Sequence, residues 1–367
     1  MRLFLPFVFS LFIGASVQAQ WWYVQTSGID SNLRGVSAAE MRDARGRRAP
    51  VVWASGSNGV ILKSLDRGKT WQRAHVAGGG TLDFRGIVAV NEKTVYVMSS
   101  GEGQKSRIYK TSDGGETWKL QYTDKRKEFF LDTIACVSET RCFALGDPVD
   151  GKFLLLSTTD GEHWNPLPNG DMPAALRGEG AFAASNSCLL LSGEEIFFGT
   201  GGPAARVFHS SDSGSSWTVA ETPIAHSNAS SGIFSIARGD GKGILVVGGD
   251  YQDPKHASAV AAYSRDEGKT WQLSEKQPGG YRSAAACIEE ALCVAIGPTG
   301  EDASVSMVSP AIWEPTGALS LNAVAIFDFQ LGWAVGPKGT IARLINQQKR
   351  IRRQLNVPPR TASPIAH

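Results

Sequence analysis

The sequence predicts an all-β fold, a single seven-bladed β-propeller of four-stranded antiparallel blades. An eight-residue motif recurs along the 367 residues, and short apolar runs alternate with glycine-rich turns between its copies. No segment has the periodicity of an amphipathic helix. The copies stand roughly 40–50 residues apart, a period typical of propellers in β-rich chains. These observations together favour a closed ring of blades.

The repeated motif combines a turn with an anchor. The motif begins with Ser or Thr, and its recurring aspartate and tryptophan are Asp66 with Trp71, Asp113 with Trp118, Asp160 with Trp164, Asp212 with Trp217, and Asp266 with Trp271. An eroded sixth copy keeps only Ser306 and Trp313. Asp-x-Gly makes a hairpin loop in which glycine takes the positive φ, and the carboxylate accepts bonds from the turn's amides. Because the tryptophan can bury its ring between sheets, we expect structural roles, with catalysis or metal binding as the alternative.

Seven apolar segments are predicted to be the first strands of the blades. They begin at Leu33, Phe84, Leu131, Gly178, Ser231, Tyr281 and Leu321. The seventh repeat has no closing motif, but the segment Trp21–Gln25 is similar to the outer strands of other blades. We therefore expect the N-terminal strand to complete the last blade and leave no open sheet edge.

The ends of the chain predict an exported protein. Residues 1–19 have a basic start at Arg2, a short apolar run and the small-residue cleavage motif Val17-Gln18-Ala19, as in a secretory signal. The apolar run is too short to span a bilayer, although a retained anchor is an alternative. We expect a signal peptide at 1–19, a propeller at 20–346, a basic disordered tail at 347–367, and a periplasmic or extracellular location.

Five cysteines agree with export. Cys136 and Cys142 are six residues apart, as are Cys287 and Cys293, and both pairs stand where one strand turns into the next. Paired positions across an antiparallel hairpin have separations that a disulfide can bridge. The spacing predicts two disulfides, with free thiols as the alternative. Cys188 is expected at the position equivalent to Cys142, with Phe182 in its partner's place, and therefore as a free, buried thiol.

The net charge and the motifs of the sequence do not indicate a nucleic-acid partner or a cofactor. The net charge is only +2, so nucleic acid is not indicated as a partner. Basic residues cluster at 42–48 and 349–360; they predict a solvated loop and a tail, or else contact with a membrane surface or an acidic ligand. Gly199–Gly202 leads into a strand, not a dinucleotide-binding helix. No metal-ligand spacing or nucleophile elbow is present, so we expect no metal, no cofactor and no catalytic residue.

Longer stretches of sequence indicate a family. The repeated motif resembles the Asp-box, or bacterial neuraminidase repeat. The segments WYVQTSG, LRGVSA, RIYKTSDGGETWKLQ, GEGAFAAS and GWAVGPKGTIA together resemble bacterial relatives of the photosystem II assembly and stability factor propellers. The resemblance implies a seven-bladed, exported protein that escorts or scaffolds a protein client. It does not carry over the photosynthetic client.

Charged residues at the starts of the first strands predict a shared site at the propeller mouth. The candidate ligand- or partner-binding residues are Arg34, Arg85, Asp132, Asp147, Glu179, Asp250, Tyr251, Tyr281, Arg282, Asn322 and Lys338. Three interpretations stay open: a salt-bridged network that holds the blades in register, docking of a ligand or protein, or a sialidase-like glycoside hydrolase. The Arg-Ile-Pro segment of sialidases is absent, and sialidase rings have six blades. The favoured function is a non-catalytic protein-binding scaffold, and the alternative is a carbohydrate-active enzyme or carbohydrate-binding protein.

Overall fold

A computed structural model describes residues 21–43, 45–168, 171–239, 241–288, 292–304, 311–328 and 331–344. These residues form seven four-stranded antiparallel sheets arranged as the blades of a propeller. The all-β prediction is confirmed, because the helical structure in the described ranges is one 3₁₀ turn at Gly103–Lys105. The predicted signal peptide, the tail and Ser306 lie outside the described residues.

Each blade is built from four strands in sequence order. Blade one comprises Leu33–Arg42, Arg48–Gly56, Val60–Ser64 and Gln72–Ala74; blade two Phe84–Ala89, Val95–Ser99, Arg107–Thr111 and Lys119–Thr123; blade three Leu131–Cys136, Cys142–Val149, Lys152–Thr158 and Asn165–Pro166. Blade four comprises Leu189–Ser192, Glu195–Gly199, Arg206–Ser210 and Thr218–Glu221; blade five Ser231–Arg238, Ile244–Asp250, Ala261–Ser264 and Gln272–Leu273. Blade six comprises Ala284–Ile288, Leu292–Gly297, Gly300–Ser304 and Glu314–Gly317; blade seven Ala323–Asp328, Leu331–Val335, Thr340–Leu344 and Trp22–Thr26.

Blade seven closes the ring as the sequence predicts. Its outer strand is Trp22–Thr26, which pairs antiparallel with Thr340–Leu344 in a register that places Trp22 opposite Leu344. Trp22 is buried in the cluster that joins blades six and seven. The first strand of each blade contacts the first strands of both neighbours, so these seven strands line a central channel.

The core lies between the blades. Second strands such as Val95–Ser99 and Leu292–Gly297 are buried along their whole length, because a neighbouring sheet covers each face. The burial forms successive clusters, each joining two neighbouring blades, rather than one central core. Short continuous apolar runs suit such positions.

The Asp boxes connect third and outer strands at one face of the ring, here called the Asp-box face. In the first box, Ser64 Oγ donates to Asp66 Oδ1 (2.9 Å), the Gly68 amide donates to Ser64 Oγ (2.8 Å), and Thr70 N donates to Asp66 Oδ1 (2.9 Å). The same bonds recur around Asp113, Asp212 and Asp266. Each of these carboxylates is used within its own turn.

In three of the boxes the glycine also lies against an aromatic side chain of the preceding blade. A Cβ added at the glycine would lie 2.5 Å from Trp53 at Gly115, 3.0 Å from the Tyr96 hydroxyl at Gly161, and 2.7 Å from Trp333 at Gly68. In these three boxes the glycine is therefore needed for two reasons, its positive φ and the space that it leaves. The sequence suggested only the first reason.

Blade four differs from the prediction. Its first strand is Leu189–Ser192, which pairs with Glu195–Gly199, and not the segment that begins at Gly178. The short apolar run after Gly178 was misleading, because residues 178–184 pair only through the single bridge Gly180↔Gly201. Cys188 precedes the first strand, so its expected equivalence to Cys142 was wrong. Its thiol is free and buried, as anticipated.

Both cysteine pairs with six-residue spacing stand directly opposite each other in the hairpins between first and second strands. The structure contains the disulfides Cys136–Cys142 and Cys287–Cys293, each with Cα atoms 4.0 Å apart. Each disulfide therefore links the first two strands of its blade, in blades three and six.

Candidate functional site at the mouth face

The face opposite the Asp boxes, where first strands begin and second strands end, is here called the mouth face. In four blades the mouth-side half of the first strand contains a bulge that leaves one extra residue unpaired: Arg34, Arg85, Asp132 or Phe234. Bulges of this kind re-aim a side chain out of the regular pleat. The structure therefore brings three of the predicted charged residues to equivalent places around the channel.

Residues 182–187 of blade four, here called the plug segment, cross the channel and contact the bulge positions of other blades. The Ala183 carbonyl accepts hydrogen bonds from Arg34 Nη2 and Arg85 Nη1, both at 3.2 Å. The Phe182 ring stacks on Phe234 of blade five, with centroids 3.8 Å apart. Blade four thus reaches blades one, two and five at a single level.

The remainder of the plug segment contacts blades three, five and six. Ser185 Oγ donates to the carbonyl of Ser283 (2.7 Å), and the Ile134 amide donates to Asn186 Oδ1 (2.8 Å). Ser187 Oγ bonds to Ser235 Oγ at 2.8 Å. A segment that bonds to five other blades closes the channel and fixes their relative positions.

The two bulge arginines, Arg34 and Arg85, lie near the same carboxylate, that of Asp83. Arg85 Nε donates to Asp83 Oδ2 at 2.7 Å, with both side chains 29% exposed. Burial, and then the nearby Arg85 charge, lower the pKa of Arg34. Asp83 was not among the predicted mouth residues. The sequence could have indicated it, because it stands only two residues before Arg85.

Two further carboxyls, those of Asp132 and Asp147, lie near each other, and Asp132 also lies near Arg85. Burial, reinforced by the charge of Asp147, raises the pKa of Asp132, whose residue is only 1% exposed and whose Oδ2 has no hydrogen-bond partner. Burial also raises the pKa of Asp147, whose Oδ1 accepts the Ala181 amide at 3.1 Å. Both side chains are favoured in their neutral form more than an exposed carboxyl is.

Arg282 and Glu179 lie at the mouth face as predicted from the sequence, but each pairs with a residue outside the predicted set. Arg282 was expected near the carboxylates of Asp132 and Glu179, but it is buried and pairs with Asp302 inside blade six, with Nε donating to Oδ2 at 2.7 Å. Glu179 pairs with Arg206, which the sequence analysis missed. In blade six the residue that contacts the plug segment is the next one, Ser283, whose carbonyl accepts the hydrogen bond from Ser185 Oγ.

The remaining predicted residues are spread over the mouth face. Asn322 Nδ2 donates to Asn32 Oδ1 and to the Leu33 carbonyl, both at 2.7 Å, which ties blade seven to blade one. Asp250 Oδ1 accepts from Ser230 Oγ at 2.6 Å. Lys338 is exposed in the turn between the second and third strands of blade seven.

Aromatic side chains continue from the plug segment to the surface. Phe234 packs edge-on against Tyr281, with centroids 4.7 Å apart, and against Tyr251 at 6.1 Å. Tyr281 is buried, and burial raises the pKa of its hydroxyl. Tyr251 is 49% exposed. The cluster therefore has a buried base and an accessible edge.

An open pocket of about 530 Å³ lies beside this cluster on the mouth face. It is lined by Asp147, Pro148 and Gly151 of blade three, residues 175–182 before blade four, Gly201 and Gly202, and Ala229. Within the described ranges, no group of three His, Cys, Asp or Glu side chains is placed to hold a metal ion. No helix in the same ranges is long and apolar enough to cross a membrane.

Comparisons with known proteins agree with this architecture. The BNR/Asp-box repeat family model matches residues 262–273, which contain the fifth box. No curated protein matches the sequence. A structure of YCF48 bound to a D1 peptide is similar over 90% of this chain and 98% of its own, with 12% sequence identity and a TM-score of 0.62.

Two further solved structures share the fold. An ancestral GH74 enzyme is 12% identical over 88% of this chain and 46% of its own, with a TM-score of 0.60. The extracellular domain of a putative one-component system from B. thetaiotaomicron is 12% identical over 88% of this chain and 40% of its own, with a TM-score of 0.56. At such identities the likeness shows the propeller fold and no shared activity.

Proposed function

We propose that the protein is an exported, non-catalytic propeller that binds a protein client through its mouth face. The observation that carries the proposal is the contrast between a closed channel and an open surface beside it. The plug segment occupies the channel at the level of the bulge arginines, whereas Tyr251 and the neighbouring pocket remain accessible. Such a face suits docking of another chain better than enclosure of a reacting substrate.

The state of the mouth carboxyls also favours binding over hydrolysis. A glycoside hydrolase needs two carboxyls about 5–10 Å apart on either side of the scissile bond. Among the predicted candidates, Asp132 is buried and Glu179 is held by the Arg206 guanidinium. The charged residues that remain on the surface serve recognition more readily than acid–base chemistry.

Two independent features support the client and the location. The solved structure of YCF48 contains a bound D1 peptide, so a propeller of this shape can bind a peptide chain. Both hairpin disulfides suit an oxidising compartment, in keeping with the signal expected at residues 1–19. We infer a periplasmic or extracellular client.

Affinity capture from the exported fraction of the native cell tests the proposal. The bait is the wild-type protein, a Tyr251→Glu variant on the mouth face, or a Leu65→Glu variant on the Asp-box face. The two replaced side chains are equally exposed, at 49%, so the variants differ in face and not in burial. We expect mass spectrometry to find proteins that Tyr251→Glu loses and Leu65→Glu retains. Identical capture by all three baits would contradict the proposal.

A further inference from the structure

The mouth-face pocket contains a carboxyl without a partner cation. Asp83 and Asp132 lie near Arg85, and Asp147 lies near Asp132. Among the described residues, Arg85 pairs with Asp83, and no cation pairs with Asp147. Asp147 is also the member of the cluster that lines the pocket.

The other acid of the pocket is already neutralised. Glu179 accepts two hydrogen bonds from the Arg206 guanidinium and a third from Thr200 Oγ1 at 2.6 Å. Asp147 has one oxygen on the Ala181 amide, and its Oδ2 has no hydrogen bond to the described residues. Behind it, Asp132 is buried with Oδ2 unpartnered. Of the two acids that line the pocket, Asp147 is therefore the one with an oxygen left to accept a hydrogen bond from a bound cation.

An aromatic ring forms another part of the wall. Phe182 lines the pocket and is held in place by its stack on Phe234. An ammonium or guanidinium group near such a ring is attracted to its π face. A carboxylate beside an immobilised ring is a combination that suits a cation on an apolar stem, because the stem packs on the ring while the charge meets the carboxylate.

We propose that this pocket binds a lysine or arginine side chain of the protein client, with Asp147 as the counter-ion and Phe182 as the packing surface. The inference rests on the proposed function for the identity of the partner, but the site itself can be tested without the client. Arg177 is the cation on the pocket rim, with an exposed side chain. Since it repels a bound cation, its removal is expected to strengthen binding.

Peptide-observed NMR saturation transfer tests the subsite on the full propeller. The peptides are acetyl-Gly-Lys-Gly amide, acetyl-Gly-Arg-Gly amide and, as a control, acetyl-Gly-Glu-Gly amide. We expect the two basic peptides to bind and the acidic one not to. Asp147→Asn should weaken binding at least about tenfold, while Arg177→Gln should strengthen it. Affinity should also rise with pH as Asp147 ionises.

Controls keep the outcomes separate. Asn at position 147 retains an oxygen for the Ala181 amide, so thermal melting of this variant should match the wild type. Equal binding of the basic and acidic peptides, or undiminished binding by Asp147→Asn, would overturn the subsite. Binding of n-butylammonium as tight as that of the lysine peptide would overturn its assignment to a protein side chain. If client capture persists while no basic peptide binds, the subsite fails and the proposed function stands.

Discussion

Arg282 and Arg85 both belong to the mouth face, but their surroundings give them different roles. The side chains of Arg282 and Asp302 are each 2% exposed, whereas those of Arg85 and Asp83 are each 29% exposed. Removing one member of a buried pair leaves an uncompensated charge away from water, which is costly. Removing one member of a half-exposed pair leaves a charge that water can still solvate.

Two alanine variants should therefore differ in stability. We expect Arg282→Ala to lower the free energy of unfolding by about 3–5 kcal/mol, and Arg85→Ala by roughly 1 kcal/mol or less. Urea unfolding followed by tryptophan fluorescence measures both. Equal losses would show that the two pairs are similarly desolvated, contrary to the structure.

Glu301 gives the protein a pH-dependent component of stability. Burial raises the pKa of its carboxyl from 4.5 to about 7. Between those values the unfolded chain releases a proton that the folded chain retains, so stability falls as pH rises through this window.

Glu301→Gln should remove that loss. Glutamine keeps an oxygen for the Leu319 amide, which bonds to Glu301 Oε2 at 3.2 Å. We expect the variant to match the wild type near pH 4 and to be about 1–3 kcal/mol more stable at pH 8. Urea titrations at the two pH values measure the difference. A variant that is less stable than the wild type at pH 8 would contradict this explanation.

Some mouth residues could be placed correctly from the sequence, and others could not. The place of Arg34, Arg85 and Asp132 at the mouth could be predicted from the sequence. Each is the second residue of its first strand, next to the residue that pairs with the end of the second strand. Arg282 could not be placed in this way, since blade six is offset by one residue, so that Ser283 contacts the plug segment while Arg282 pairs with Asp302. Arg206 and Asp302 were missed because their partners lie 27 and 20 residues away, and no local pattern marks such pairs.

At the scale of the element, the Asp box is both a turn and part of an interface. Its hydrogen bonds are local and could be inferred from the eight residues alone. The ring that packs on its glycine comes from another blade and cannot be inferred from the motif. A comparison of Gly115 with Gly268 separates the effect of the positive φ from that of the contact between blades. Both glycines have a positive φ, but of the two only Gly115 would bring an added methyl carbon within 3.0 Å of an aromatic atom.

Replacing each of these glycines with alanine should reveal the inter-blade contact. Both variants should lose about 1–2 kcal/mol from the positive φ. Gly115→Ala should lose roughly 1–3 kcal/mol more, because its methyl group would meet Trp53 at 2.5 Å, whereas at Gly268 the nearest atom is 3.5 Å away on Phe197. Chemical denaturation compares the two. Equal losses would show that Trp53 moves aside without cost.

Blade four marks the limit of strand prediction. The segment after Gly178 has a short apolar run like that of a buried strand, yet it runs into the plug segment, whose partners belong to five other blades. Leu189–Ser192 has a continuous apolar run and pairs with Glu195–Gly199. Both segments suit a strand locally, and only the closed ring determines which of them joins the sheet.

At the scale of the whole molecule, closure depends on the N-terminal strand. Trp22–Thr26 covers the edge of Thr340–Leu344, and Trp22 fills the cluster between blades six and seven. The sequence predicted this arrangement because the last repeat lacks an outer strand while the first residues of the propeller resemble one.

Deletion of Trp21–Thr26, with the signal segment kept, should expose a sheet edge and open the ring. We expect aggregation or a broad, non-cooperative melting curve by circular dichroism. Deletion of residues 347–367 serves as the control and should leave melting unchanged. A cooperative transition at the wild-type temperature in the first variant would argue against closure by this strand.

The central claim, that the mouth face binds a protein client, is tested most directly by photo-crosslinking in the native cell. The photoreactive amino acid p-benzoylphenylalanine replaces Tyr251 or Leu176 on the mouth face, or Leu65 on the Asp-box face, all of which are exposed. The structure predicts a common crosslinked partner from positions 251 and 176 that is absent from position 65. Crosslinks from position 65 alone, or the same partner from all three positions, would contradict the claim.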